Sequence, residues 1–438
     1  MKSRISWVAV AAALGLGFPA AAQDAALIAA VEADYDARLE SLFRHFHAHP
    51  ELSGLEFQTS ARMARELEAL GYEVTTGVGG TGVVAVLANG PGPTVMIRAD
   101  MDGLPIREAT GLPYASTAVQ VDHDGVEKPV MHACGHDSHI TALIGVARQM
   151  MDRRDRWSGT LVLIAQPAEE TLSGARAMLD DGLYQRFPKP DYALALHVNA
   201  GAAAGQIQIQ PVIAYSSADS VYITVRGVGA HGATPHRSID PVVMAAHMIV
   251  ALQTLRSRNV HPLQGAAVTV GAINGGSRPN IIPEQVDLQL TVRADDPAVR
   301  TQLLDGIDRI ALGVARTFGA PDDRLPIVTR SPTQATPAVL NDTATAERVS
   351  AAISRGLGPG AVVPAALRPG MGSEDFAYFV QPELGVRGVY FAIGGRVETA
   401  PEQAGSHHTP LMQIEPEPVI TRGVVAMVSA AEDLMPKP

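Results

Sequence analysis

Leu161-Val162-Leu163-Ile164-Ala165-Gln166-Pro167-Ala168-Glu169-Glu170 is the stretch on which the fold turns. Five apolar residues run without a polar break, which predicts a strand buried on both faces. Two glutamates follow almost at once. Tyr192–Leu196 repeats the pattern and ends in His197. Val95-Met96-Ile97 does so again, followed by Arg98-Ala99-Asp100-Met101-Asp102. Ile140–Met151 lies between these runs with Ile140, Leu143, Ile144, Ala147 and Met151 on one helical face. Helices alternating with doubly buried strands predict an α/β domain with a mostly parallel sheet. In such sheets ligands sit beyond the carboxyl ends of the strands. Three strand ends therefore bring carboxylates and an imidazole to one crevice.

Outward from this centre, helices are expected near Leu39–Phe46 and over Thr59–Leu70, and strands at Val83–Leu87 and Thr94–Ala99. Val119–Pro129 reads as a polar loop. The character changes near Pro211. Strand Ser220–Arg226, helix Pro241–Leu255, strands Ala266–Ile273 and Gln285–Arg293, helix Pro297–Phe318 and strand Pro326–Thr329 follow the β-α-β-β-α-β, ferredoxin-like plan. This second unit, residues 214–330, is expected to be inserted into a first domain made of 23–213 and 331–438. The first domain resumes with helix Thr343–Arg355, buried strand Gly388–Ile393 and helix Val419–Leu434.

Residues 1–22 read as a secretory signal peptide. Lys2 and Arg4 precede a charge-free apolar run from Ile5 to Phe18, and Ala20-Ala21-Ala22 offers a cleavage site. A periplasmic or extracellular location is expected, with no membrane attachment once the signal is removed. The 438 residues are 46% hydrophobic and 18% charged, which excludes disorder as the main state. The formal net charge of −11 argues against a nucleic-acid partner, which needs a basic face. The single cysteine, Cys134, excludes an intrachain disulfide.

Met131-His132-Ala133-Cys134-Gly135-His136-Asp137-Ser138-His139 packs a thiol, three imidazoles and a carboxylate into nine residues. Cys134 and His136 flank a glycine that lets both face one point. Thiolate, imidazole and carboxylate together suit a divalent transition metal. A second reading of the segment alone is a polar turn with Asp137 or Ser138 capping the helix and Cys134 as a small buried hydrophobe. The glutamate pair and His197 on neighbouring strand ends favour the metal. In extended backbone Glu169 and Glu170 point to opposite sides, so one can bind metal while the other acts as general base toward water.

MHACGHDSH, QPAEE, RADMDGLPI, GAHGATPH, NIIP and GSEDF, in this order, resemble the amidohydrolase subfamily of the aminoacylase/carboxypeptidase G metallopeptidases, across nearly the whole chain. The resemblance implies a metallopeptidase catalytic domain with an inserted lid or dimerisation domain, and a homodimer or higher homo-oligomer. It implies two divalent ions, Zn²⁺ or Mn²⁺ with Co²⁺ or Ni²⁺ as other options, held by Cys134, His136, Glu170, His197 and His408. His408 comes from His408-Thr409-Pro410, with neighbouring His407 the alternative. Glu169 is implied as general base, and His231 as a stabiliser of the tetrahedral intermediate, often supplied by a neighbouring subunit. Asn280 and Arg293 match substrate-binding positions, and Glu374 a pocket position. Where the wider family has His-x-Asp, this chain has Arg98-Ala99-Asp100. Arg98 has no lone pair to offer, and Asp100 is read as orienting a ligand from behind.

His45, His47 and His49 read as a polar helix end before Pro50, His132 and His139 as neighbours of the ligands, and His123, His247 and His261 as ordinary. The implied activity is hydrolysis of the amide between an acyl group and an amino acid with a free carboxylate. Carboxypeptidase or dipeptidase action uses the same machinery. A two-lobed solute-binding protein would need no base beside its ligand.

Overall fold

The apolar runs are the middle of an eight-stranded mixed sheet. In the computed structural model, which describes residues 23–364, 368, 370–398 and 404–438, the order is Glu73–Val78, Gly82–Asn89, Gly159–Gln166, Thr94–Asp100, Tyr192–Ala203, Arg387–Arg396, Ile207–Ile209, Val362–Pro364. The four central strands, from Gly159–Gln166 to Arg387–Arg396, are mutually parallel. The proposed signal, residues 1–22, lies outside the described residues.

Both faces of these strands are covered, which is why they read as unbroken apolar runs. Val95, Ile97, Leu161 and Leu163 share a core with Ile140, Leu143 and Ile144 of helix His136–Asp152, and with Val424 and Val428 of helix Pro416–Leu434. The alternate residues Met96, Val162 and Ile164 face a smaller core with Met178, Phe376 and Phe379. Helix Phe57–Ala69 and the N-terminal helices Ala25–Asp34 and Glu40–Ala48 flank the first face, the latter two joined by a π-helical turn at Tyr35–Leu39.

A separate four-stranded antiparallel sheet, in the order Ala266–Gly275, Gln285–Ala294, Ser217–Arg226, Ile327–Thr336, carries helices Pro241–Thr254 and Pro297–Thr317 on its own apolar core. This is the ferredoxin-like arrangement. Each helix starts from an aspartate whose side chain accepts backbone N–H groups, Asp240 and Asp296, with proline at the first turn. Two short paired strands, Ile213–Tyr215 and Val339–Leu340, carry the chain into and out of this layer.

The expected loop Val119–Pro129 contains a small hairpin, Val119–Val121 paired with Glu127–Pro129. Strands of three residues with exposed side chains are too short and too polar to give an alternating signal. The last strand of the second sheet runs to Thr336 rather than ending at Thr329. No helix among the described residues is long and apolar enough to cross a membrane.

Candidate metal centre

The strand ends deliver the expected side chains, but Glu169 and Glu170 sit in a turn beyond strand Gly159–Gln166 rather than in extended backbone, so they do not point to opposite sides: both carboxylates approach His136. Helix His136–Asp152 begins at His136, with Gly135 in the left-handed conformation as its cap (φ 84°). A Cβ on Gly135 would lie 2.4 Å from Val198 Cγ1, so only glycine lets Cys134 and His136 turn inward together. Cys134 Sγ lies 3.4 Å from His197 Nε2 and 3.3 Å from His408 Nε2. His408 Nε2 lies 3.4 Å from Glu170 Oε1, and His136 Nε2 lies 4.0 Å from both Glu169 Oε2 and Glu170 Oε1. Cys134, His136 and His197 form one trio whose ligand atoms lie within 4.8 Å of one another, and Cys134, Glu170 and His408 form another.

Hydrogen bonds settle which ring nitrogens are free. The Nδ1–H of His136 donates to the Asp102 carbonyl (2.9 Å), and that of His197 to the Val198 carbonyl (2.7 Å). Neutral His197 therefore turns a lone pair on Nε2 into the cluster, and His136 directs its Nε2 there too; burial works against a charge on His136, but Asp100, Asp102 and Glu170 outweigh it and raise its pKa to about 10, so a bound cation would take the place of that proton. His136 Nε2 and Glu170 Oε1 are buried with no hydrogen-bond partner among the described residues. Buried polar atoms without partners are costly, and a shared cation would satisfy both. His139 is committed twice: Nδ1 to Asp100 Oδ1 at 2.6 Å, and Nε2 to the Val198 N–H at 2.9 Å. His407 spends Nε2 on the Ala200 N–H (3.1 Å), whereas His408, with a left-handed backbone (φ 61°), faces Cys134 and Glu170.

The electrostatics are those of a cation site. Burial pushes the Cys134 thiol well above its usual range, and the charges of Glu170 and Glu169 push the same way. Burial holds His197 well below the usual imidazole range, so it is neutral and able to ligate. Burial, then the Glu374 and Glu170 carboxylates, raise the proton affinity of Glu169 far above that of an ordinary glutamate. Thiol, neutral imidazole and carboxylate form a donor set suited to Zn²⁺ or Mn²⁺.

Asp100 lies behind the cluster, where it accepts from Arg98 Nη1 (2.6 Å) and His139. Buried Arg98 also donates to Gln166 Oε1 (2.8 Å) and Glu374 Oε1 (2.7 Å). Glu374, the expected pocket residue, lines the cavity, and its carboxylate accepts from Arg98, the Tyr390 hydroxyl (2.6 Å) and the Phe376 N–H (3.0 Å). It also adds negative charge beside Glu169.

A cavity of about 730 Å³ opens from the cluster, lined by Tyr215, Tyr390, Phe391 and Ala392 and bordered by Arg293. Arg293 is half-buried and, among the described residues, hydrogen-bonds hydroxyls, Ser373 Oγ at 2.7 Å and Thr291 Oγ1 at 3.2 Å. His231 and Asn280 are not in this wall. They lie side by side on an exposed part of the second sheet layer, where the Gly232 N–H donates to the Asn280 carbonyl (2.8 Å).

Three contributors escaped the sequence reading. Asp102 accepts from the Glu170 N–H (3.0 Å) and Ser53 Oγ (2.6 Å). Glu56 accepts from the Ala168 N–H. His47 lies in the last turn of helix Glu40–Ala48, as expected, but its ring is buried between Asp137 (2.7 Å) and Glu108 (3.1 Å). Asp102 lies inside RADMDGLPI and was within reach. Nothing local marks the other two, whose partners are about a hundred residues away.

Residues 96–433 match the model of peptidase family M20/M25/M40. The chain is 38% identical to a hippurate hydrolase of Campylobacter jejuni over 65% of this chain and 71% of that protein. It is 34% identical to thermostable carboxypeptidase 2 of Saccharolobus solfataricus over 81% of this chain and 85% of that protein. Among solved structures it resembles a Bacillus subtilis protein described as a dinuclear metal-binding peptidase, at 28% identity and a TM-score of 0.75, covering 92% of this chain and 98% of that one. With family match, fold and donor cluster in agreement, the chain belongs to peptidase family M20/M25/M40, whose amidohydrolases and carboxypeptidases are metal-dependent hydrolases of amide bonds.

Proposed function

We propose that this protein is a secreted, binuclear amidohydrolase that splits N-acyl amino acids into a carboxylic acid and an amino acid. The observation that carries this is the convergence of Cys134, His136, Glu170, His197 and His408, two of whose buried atoms have no hydrogen-bond partner among the described residues. These five residues would hold two divalent ions, Zn²⁺ or Mn²⁺ by donor type, with Co²⁺ and Ni²⁺ also compatible. Ions held there polarise a substrate carbonyl and acidify water. Glu169, whose carboxylate lies beside His136 at the edge of the cluster, would take the proton of the attacking water and pass it to the leaving amine nitrogen.

Arg293, with no carboxylate hydrogen-bonded to it among the described residues, suits the free carboxylate of the amino-acid part, and the aromatic wall suits an apolar acyl group. His231 reaches the reacting carbonyl by closure of the second sheet layer or from another copy of the chain, with Asn280 beside it. A homodimer through that layer is supported by exposed Val242, Val243 and Val250 on one helix and by Leu263, which is 91% exposed. Residues 1–22 support export to the periplasm or beyond.

Release of benzoate from hippurate-type substrates, measured with and without chelator, tests the reading. Turnover lost on chelation and restored by metal is expected; turnover indifferent to chelation would contradict it. The carboxypeptidase relative supports a second use of the same site on short peptides. Faster release of C-terminal residues from unblocked dipeptides than from acyl amino acids would favour that use.

A further inference from the structure

Glu56 lies outside every motif used above, yet its side chain is completely buried next to the catalytic turn. Its Oε1 accepts from the Gly54 N–H (2.7 Å) and the Ala168 N–H (2.9 Å), and its Oε2 accepts from the Thr81 hydroxyl. Ala168 directly precedes the glutamate pair and holds φ 51°, the left-handed region that residues other than glycine avoid. Leu172, just beyond the pair, is left-handed too, at φ 55°. Two such residues bracketing Glu169 and Glu170 need outside support. Within the turn, the Glu169 carbonyl accepts from the Leu172 N–H (2.7 Å) and the Ala168 carbonyl from the Gly174 N–H (3.1 Å). The remaining inward N–H groups are met from elsewhere: Ala168 by Glu56, and Glu170 by Asp102, which Ser53 in turn holds. The Ser53–Glu56 segment thus grips the turn on both sides of Glu169, once directly and once through Asp102.

We infer that Glu56 is a positioning residue, which sets the backbone of the Ala168–Glu170 turn and so aims Glu169 at the attacking water and Glu170 at the metal. The inference rests on the roles proposed above for Glu169 and Glu170. Reach matters here more than charge. A glutamine keeps the length, accepts both N–H groups through its carbonyl oxygen and donates to Thr81. An aspartate keeps the charge but is one methylene too short to reach Ala168.

The test compares Glu56→Gln, Glu56→Asp and Glu56→Ala by metal affinity, kcat and KM, using Zn²⁺ or Mn²⁺ as the metal probe. For the aspartate and alanine variants the metal Kd rises about tenfold, as for loss of a partner behind a ligand. Their kcat at saturating metal falls about 10- to 100-fold, as for a small misplacement of a catalytic group, with KM within about threefold. Glu56→Gln stays within about threefold of the native enzyme on all three, on the same geometric argument. Native values in Glu56→Asp, or a loss in Glu56→Gln as large as in Glu56→Asp, would overturn the inference. Should Glu56→Asp not fold, Thr81→Val, which removes only the hydroxyl donor, shows the same direction at severalfold; native values there overturn it equally. Glu169→Gln is run alongside. If it keeps its turnover, the base assignment itself fails, whatever the Glu56 variants do.

Discussion

Replacing His47 with glutamine removes a buried cation from between two buried carboxylates. His47 Nδ1 lies 2.7 Å from Asp137 Oδ2 and Nε2 lies 3.1 Å from Glu108 Oε1, and all three side chains are at most 7% exposed. Burial works against the imidazolium, but the hydrogen bonds and charges of Asp137 and Glu108 outweigh it and raise the His47 pKa from 6.5 to about 10. At 1.36 kcal/mol per tenfold in proton affinity, that rise caps the contribution at about 5 kcal/mol. Breaking a buried pair by deleting one partner costs about 3–5 kcal/mol, so the two estimates agree. The pKa is raised on folding, so the stabilisation is complete below about pH 6.5, the unfolded value, and is lost as pH climbs through about 10. Denaturant unfolding of the native protein and His47→Gln at several pH values measures this. The gap is expected to be about 3–4 kcal/mol at pH 7 and below about 1 kcal/mol at pH 10. A gap that does not change with pH, or one below about 1 kcal/mol at pH 7, would refute the charged-histidine account.

Gly135→Ala combines a left-handed backbone with a Cβ 2.4 Å from Val198 Cγ1, so a loss of about 2–4 kcal/mol in stability and a lower metal content are expected, read by unfolding and by elemental analysis. Cys134→Ala should weaken metal binding, and peroxide should inactivate the metal-stripped native enzyme faster than the loaded one; unchanged metal content in Cys134→Ala would remove it from the ligand set. His231→Ala should keep metal and fold but lose kcat more than it raises KM, by about 10²–10³-fold if its contact is made in the transition state. Hybrids of His231→Ala with Glu169→Gln chains should recover activity if His231 acts across a dimer interface, and remain inactive, with subunit exchange verified, if it acts within one chain.

The parts legible in the sequence are those whose cause is local. Leu161–Ala165 and Tyr192–Leu196 were readable because a strand covered on both faces tolerates no polar residue. Cys134, Gly135 and His136 were readable as a cluster because the glycine and both donors are adjacent. The resemblance already favoured His408 over His407, but the left-handed backbone that turns the His408 imidazole toward Cys134 carries no local sequence signal. The hold of Arg98 on Glu374 could not be read locally, because the two lie 276 residues apart. His47 and Glu56 were invisible for the same reason, with partners 90 and 112 residues distant. The hairpin at Val119–Pro129 is held by one short backbone ladder between two three-residue strands, too short to leave a hydrophobic period to read.

The account turns on a division of labour between two adjacent glutamates, one basic toward water and one toward metal. Metal content and turnover of Glu169→Gln, measured on one sample beside Glu170→Gln, test it most directly. Glu169→Gln is expected to keep its full complement of divalent metal while kcat falls by at least about 10²-fold, the low end for loss of a general base. Glu170→Gln is expected to lose metal. Equal metal loss in the two variants, or a Glu169→Gln enzyme that turns over at the native rate, would contradict the account.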